Sequence, residues 1–342
     1  ARFGAVQVIA NLMRSSEDKE REYNKELAQL RKIAAKGLGP DKAAEMAKIA
    51  GPPALAKQAA RILLQKGAVS TFVKCKMLYK EEQRNQQLSK GIYFDGMNEQ
   101  VVEAMSFCMK KFAKDERNRG TLVQQKGIRL LGDLYNLGAQ IMEKSGGVDS
   151  KKGLWREDCA VALSRIAIST NPALYPEGSM FSMIQPLLWL FGNASHELYQ
   201  FEAGMGLTNI ASIDADTRDV LVIHGAWPAV TNLLSSENEE VQRVGVEFMA
   251  NLVVCEKSFE RLQTSDQDVK LFLLFAKSEN LRTQLAATGG IAMMTQDPLV
   301  VQNLKKNSAI KVLNDIKNRT KDADVLMRIK VALENIESSS EE

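Results

Sequence analysis

Gln200-Phe-Glu-Ala-Gly-Met-Gly-Leu-Thr-Asn209-Ile-Ala211 reads as a helix with apolar residues on most of its sides. The same frame returns 42 residues later as Gln242-Arg-Val-Gly-Val-Glu-Phe-Met-Ala-Asn251-Leu-Val253. Another step of 42 gives Gln284-Leu-Ala-Ala-Thr-Gly-Gly-Ile-Ala-Met293-Met-Thr295, and one more reaches a fourth register at Leu333-Glu-Asn335-Ile336. Upstream, at a step of 44, Leu163-Ser-Arg165-Ile-Ala167 fits the apolar frame with Arg in the Asn slot, and Ile9-Ala-Asn11-Leu12 repeats it near the start. A period of ~40–47 residues built from two or three helices is the armadillo/HEAT class.

The punctuation between helices agrees with that period. His224-Gly-Ala-Trp-Pro228 precedes an apolar helix ending near Leu234, and Lys66-Gly-Ala-Val69 and Lys126-Gly-Ile128 read similarly. Gly allows the sharp turn, and Pro fits a first helical turn because its missing N–H is not needed there. Ala309, two periods after Gly225, is expected to take the place of that glycine in the last repeat. No segment alternates like a strand. The expected fold is all-α, an armadillo-type right-handed α-solenoid.

Working outward, the front of the chain is less regular. Eleven of the nineteen residues 14–32 are charged, while Tyr23, Leu27, Leu30 and Ile33 recur at helical spacing, so this stretch predicts an exposed amphipathic helix or neck. Gly37-Leu-Gly39-Pro40 ends it, and Gly51-Pro-Pro53 opens a helix to about Gln65. Residues 144–153 form the clearest polar loop, and the tail from Ser338 to Glu342 is expected to fray. The domain reading is therefore 1–60, the end of an upstream repeat plus a charged neck; 61–120, irregular helical repeats; and 121–342, a regular array. With Ala1 inside a helical pattern and no initiator Met, the chain is expected to be a fragment, which leaves N-terminal targeting undefined.

Composition narrows the function. Aromatic residues make up 6% of the 342, and each repeat needs to bury a modest face against its neighbours. The charge is nearly balanced, 45 basic against 42 acidic residues, which argues against nucleic acid as a partner. No apolar run reaches the ~18–20 residues that cross a bilayer, so no membrane partner is expected. Four separated cysteines, Cys75, Cys108, Cys159 and Cys255, without a Cys-x-x-Cys, point to a reduced intracellular compartment, hence a cytoplasmic location.

Chemistry has little to stand on. There is no Gly-x-x-x-x-Gly-Lys-Ser/Thr and no Gly-x-Ser-x-Gly. Gly204-Met-Gly206 is a fragment of a dinucleotide fingerprint inside a helix, read as close helix packing. The two histidines, His196 and His224, and the cysteines in apolar helical patterns read as structural residues. No enzyme, no metal and no cofactor is expected.

The Asn slot carries more. In an armadillo-type repeat the third helix lines the inner side, where a side-chain amide can donate to and accept from an extended peptide backbone. Asn209, Asn251 and Asn335, with Asn11 further off, would form such a ladder, with Phe201 and Met205 beside Asn209 and Arg243 and Glu247 beside Asn251. The competing reading is that each Asn ties down its own repeat through a neighbouring loop.

These residues also carry a resemblance. Gln200-Phe-Glu-Ala-x-x-x-Leu-Thr-Asn-Ile-Ala resembles the most characteristic stretch of the UCS-domain myosin chaperones. Arg119-Gly-Thr-Leu-Val-Gln-Gln-Lys-Gly127, Ile168-Ser-Thr-Asn-Pro172, Phe248-Met-Ala-Asn-Leu-Val253 and the Ala/Gly-rich helix 284–295 are similar to that family at the right separations. The resemblance implies binding of the myosin motor domain, support of its folding and of actomyosin assembly, and no ATP hydrolysis. It implies a client groove lined by Phe201 and Asn209; the helical spacing adds Met205, Arg243, Glu247 and Asn251 as groove candidates, with Arg165 in the slot upstream. Gly204 and Gly206 depart from the family by replacing larger residues, a change worth roughly 0.5–1 kcal/mol per Gly relative to Ala. Some members recruit a general heat-shock chaperone through a TPR domain, a pattern this sequence lacks. Self-association into chains through open repeat ends is a further expectation. Two other armadillo roles compete: an importin-type adaptor, which would want an acidic groove with Trp near the ladder, and a cytoskeletal scaffold. Trp189 and Trp227 fall on second-helix segments and Trp155 before a third helix, away from that pattern.

Overall fold

The computed structural model describes residues 2–14, 53–76, 99–144, 154–194 and 196–339. Among them every regular element is a helix. The charged stretch 15–52, the polar loop 145–153 and the last residues 340–342 lie outside the described residues. The chain divides into two compact units, Ala1–Ile166 and Ala167–Glu342.

In the first unit, α1 (Arg2–Met13) packs on α2 (Pro53–Gln65) and on α3 (Glu99–Lys114). Then follow α4 (Arg119–Gln124), α5 (Gly127–Lys144) and most of α6 (Leu154–Ser169), whose end crosses into the second unit. Residues 68–76 are helical as well. Phe72, Met105, Met109, Phe112, Leu122, Ile128 and Leu131 are buried at its centre. Trp155 is the second residue of α6 rather than a residue before it; its indole covers Gly138, where a Cβ would come within 2.7 Å of Nε1.

The second unit shows the period directly. After α7 (Phe181–Asn193) and α8 (Glu197–Ala211) come three triplets. These are α9 (Ala215–Ile223), α10 (Ala226–Leu233) and α11 (Glu239–Leu252); α12 (Glu256–Thr264), α13 (Asp266–Phe275) and α14 (Leu281–Met294); and α15 (Pro298–Lys306), α16 (Ala309–Lys317) and α17 (Ala323–Ser338). Third helices stack on third helices, α8 on α11, α11 on α14 and α14 on α17; first helices stack in the same way, α9 on α12 and α12 on α15. This is the all-α armadillo-type solenoid that the 42-residue step predicts.

The third helix of each triplet starts on the same device. Asn238, Asn280 and Asp322 accept at their side-chain oxygen from the two backbone N–H groups that open α11, α14 and α17. Two residues earlier, the hydroxyls of Ser236, Ser278 and Thr320 accept from the N–H of the capping residue itself. Such caps satisfy donors that a helix start leaves unpaired, typically worth ~1 kcal/mol each. The equivalent cap of α8 is His196, whose Nδ1 accepts from the Leu198 N–H at 3.1 Å. The repeated glutamine also has a function: Gln242 Nε2 donates to Leu234 O at 3.0 Å and Gln284 Nε2 to Ala276 O at 3.1 Å, fastening the end of each second helix to the third.

Two turn expectations need correcting. Gly225 precedes α10 with φ +94°, as expected, but its counterpart before α16 is Ser308 at φ +61°, not Ala309, so the last turn is one residue out of frame. At the turn before α5 the left-handed residue is Lys126, and Gly127 serves close approach: a Cβ there would lie 2.7 Å from the Leu122 carbonyl oxygen.

Candidate functional site

The 42-residue step places equivalent side chains in rows across the stacked third helices. One row is Phe201, Arg243, Leu285 and Met327; the next is Met205, Glu247, Gly289 and Val331; the third is Asn209, Asn251, Met293 and Asn335. Three and four residues separate neighbours on one helical face, so 201, 205 and 209 share a face on α8, and 243, 247 and 251 share one on α11. The structure thus brings together the six residues of the second unit that the sequence singles out. Arg165 sits partly buried on α6, within the first unit.

The glycines of α8 set how closely the stack approaches. A Cβ at Gly204 would come within 2.7 Å of Val244 and 2.8 Å of Phe191, so only glycine lets α8 lie this close to α7 and α11. That is the close packing expected of Gly204-Met-Gly206.

The first row is knitted across the α8–α11 interface. The Arg243 guanidinium lies 5.6 Å from the centre of the Phe201 ring. It also donates from Nε and Nη2 to Glu240 Oε2, at 3.1 and 2.7 Å, and from Nη1 to Glu247 Oε1 at 2.5 Å. Only 6% of the Arg243 side chain is exposed, so this charge works inside the protein and is compensated by two carboxylates and an aromatic face. The hydrogen bond from Arg243 pulls the Glu240 carboxyl below its usual pKa.

The amide ladder is directional. Asn209 Nδ2 donates to the carbonyls of both Ala167 and Ile168, at 3.0 Å each, closing the carbonyl end of α6. Asn251 Nδ2 donates to Thr208 O at 3.2 Å, near the end of α8, and Asn335 Nδ2 to Thr295 Oγ1 at 2.9 Å, just past α14. Each amide nitrogen therefore braces the end of the preceding third helix, Asn251 at a carbonyl that also accepts from the Ser212 N–H at 3.2 Å. The amide oxygens of the three take no donor from the described residues.

The remaining chemistry is structural. The side chains of Trp227, Ser258 and Cys255 are buried together, with Trp227 Nε1 donating to Ser258 Oγ at 3.2 Å. Burial pushes the Cys159 thiol up to about 12 and raises those of Cys108 and Cys255, so none is a ready thiolate near neutral pH. Among the described residues no three His, Cys, Asp or Glu side chains gather to hold a metal ion, and no helix is long and apolar enough to cross a membrane.

Comparison with known proteins places this geometry. No family model matches the chain. It is 28% identical over 213 residues to protein unc-45 homolog B of Danio rerio, an alignment covering 61% of this chain and 21% of that one. The human protein of the same name is 26% identical over 201 residues, 58% of this chain. The chain thus spans about a fifth of the length of these curated relatives. Among solved structures, UNC-45 from Drosophila melanogaster superposes with a TM-score of 0.66 at 20% identity, covering 84% of this chain and 33% of that one. The myosin chaperone UNC-45 from C. elegans in complex with a Hsp90 peptide gives 0.64 at 20% identity over 82% of this chain and 28% of that one. A designed armadillo repeat protein gives 0.53 at 17% identity over 71% and 96%. Relatives and folds alike bear out the resemblance to the UCS-domain family.

Proposed function

We propose that the chain is the client-holding array of a UNC-45-like chaperone, which binds the myosin motor domain along the third-helix face of its second unit and supports its folding and actomyosin assembly. The observation that carries this reading is the single face on which Phe201, Met205, Asn209, Glu247 and Asn251 stand in register across stacked helices. Half-buried apolar side chains beside unpaired amide oxygens suit a partly folded segment, which offers both apolar groups and backbone N–H groups. The work is binding rather than catalysis, in the cytoplasm, with a general heat-shock chaperone as a second partner by analogy with the Hsp90-peptide complex of the C. elegans protein.

The test is co-purification of the chain with a myosin motor domain, followed by protection of that motor from aggregation on heating. Phe201→Ala with Met205→Ser should abolish both; because the Phe201 ring also faces the Arg243 guanidinium of the next third helix, a circular dichroism spectrum and melt confirm that the variant is folded. Binding that survives in a folded variant would sink the assignment of this face. Binding by the wild-type chain without protection would leave a scaffold instead of a chaperone.

A further inference from the structure

On the reading that the third-helix face holds the client, Arg243 stands apart from the residues beside it. Phe201, Met205, Asn209, Glu247 and Asn251 each keep part of their surface open to solvent. Arg243 lies in the row of Phe201 with only 6% of its side chain exposed, and among the described residues it is the single Lys or Arg that is buried. A client lying on this face meets the neighbours of the guanidinium and not the guanidinium itself.

Those neighbours lie on two helices. Nε and Nη2 of Arg243 donate to Glu240 and Nη1 to Glu247, all within α11, while the Phe201 ring of α8 has its centre 5.6 Å from the guanidinium carbon. An arginine can serve all three because its N–H donors lie in the guanidinium plane and its flat face is left for a ring; an ammonium offers one point of charge. The exposed Arg282 at the start of α14 also acts on Glu240, which sits between two cations. The buried cation is thus anchored on its own helix at two carboxylates, and its remaining contact crosses to the aromatic ring of the next.

Stacking alone does not require that contact. Gly204 already lets α8 close on Val244 of α11. In the next two steps of the stack the slot of Arg243 is filled by Leu285 and Met327, and α11, α14 and α17 still pack on one another. Arg328 does bridge α17 to α14, but it is partly exposed and bonds the Leu285 carbonyl rather than a ring. We infer that Arg243 is a positioning residue: without touching the client, it holds the Phe201 ring in the orientation that the client meets.

A double-mutant cycle on motor binding by the full chain tests this, with Arg243→Met and Phe201→Leu as the two changes. Each alone should weaken binding about tenfold, and the pair should weaken it no more than Phe201→Leu does, because Arg243 acts through the ring. Arg243→Lys keeps the charge without the fork and should lose about threefold. Circular dichroism melts accompany every variant, and 4-fluorophenylalanine placed at 201 reports on the ring directly. Its fluorine resonance should move toward that of the free amino acid in Arg243→Met, and part of the way in Arg243→Lys. A purely stabilising residue would lower the melt but leave the resonance in place and give losses that add. Additive losses, a Phe201→Leu chain that binds as the wild type does, or a resonance that stays put in a folded Arg243 variant would each overturn the inference. Should Arg243→Met fail to fold, the resonance of Arg243→Lys decides. A wild-type chain that does not bind the motor removes the proposed function, and the resonance then decides the inference by itself.

Discussion

α11 and α17 occupy equivalent places in their triplets, yet the same slots hold opposite chemistry. Val246 and Ala250 of α11 are buried in the stack; two periods on, Lys330 and Glu334 of α17 stand in those slots, 72% and 62% exposed, and face each other as an i, i+4 ion pair at 3.7 Å. Arg243 is buried, while Met327 in its slot is 57% exposed. The frame of the repeat is kept and its outer face is rewritten for water. Stacking, rather than helix formation, is therefore what the interior slots encode, since α17 is as complete a helix as α11 without them.

Exchanging the residues breaks that comparison most severely. Val246→Lys puts an unpaired ammonium where no water reaches and should cost about 4 kcal/mol or more, enough to unfold the second unit in mild denaturant. Lys330→Val, the reverse exchange at the same slot, should change stability by no more than about 0.5 kcal/mol. Urea melts of the two variants measure both. Similar losses in the two would mean that α17 is packed as an interior helix.

Much of this stack was legible in the sequence, because its interior is apolar at a fixed step and apolar periodicity survives translation into letters. The residues at 209, 251 and 335 were legible as a slot. Their destinations were not, because the groups they bind include backbone carbonyls 41 to 43 residues away, and a carbonyl leaves no mark on residue identity. The caps are written in the sequence too: Ser236-Glu-Asn238, Ser278-Glu-Asn280 and Thr320-Lys-Asp322 recur at the same step of 42, in the turns rather than in the apolar helical frame. The left-handed turn at Ser308, one residue before Ala309, is not legible because a single-residue shift in a turn changes no hydrophobic pattern.

The amide braces give a comparison of intermediate size. Asn251→Ala removes a bond to a helix-end carbonyl and should cost about 1–1.5 kcal/mol. Asn335→Ala removes a bond to the Thr295 hydroxyl, which already donates to Ala292 O at 2.6 Å and can still meet water, so about 0.5 kcal/mol is expected. Thermal melts at one pH check the order. The reverse order would show that the ladder braces the α14–α17 junction more than α8–α11.

The smallest effect concerns the one third helix whose start departs from the others. His196 caps α8 with a ring nitrogen, where α11, α14 and α17 use Asn238, Asn280 and Asp322 to accept two backbone N–H groups each; the His196 ring accepts from Leu198 alone. An asparagine at 196 has the shorter side chain that such caps favour, and Ala194 lacks the hydroxyl that Ser236 and Ser278 supply two residues earlier. His196→Asn should therefore stabilise the second unit by about 0.5 kcal/mol, and His196→Asn with Ala194→Ser by about 1 kcal/mol. Differential scanning calorimetry would register each as a rise in melting temperature. Stabilisation from the single change that the second does not extend would mean that the serine hydroxyls at 236 and 278 fix a loop path rather than support a cap.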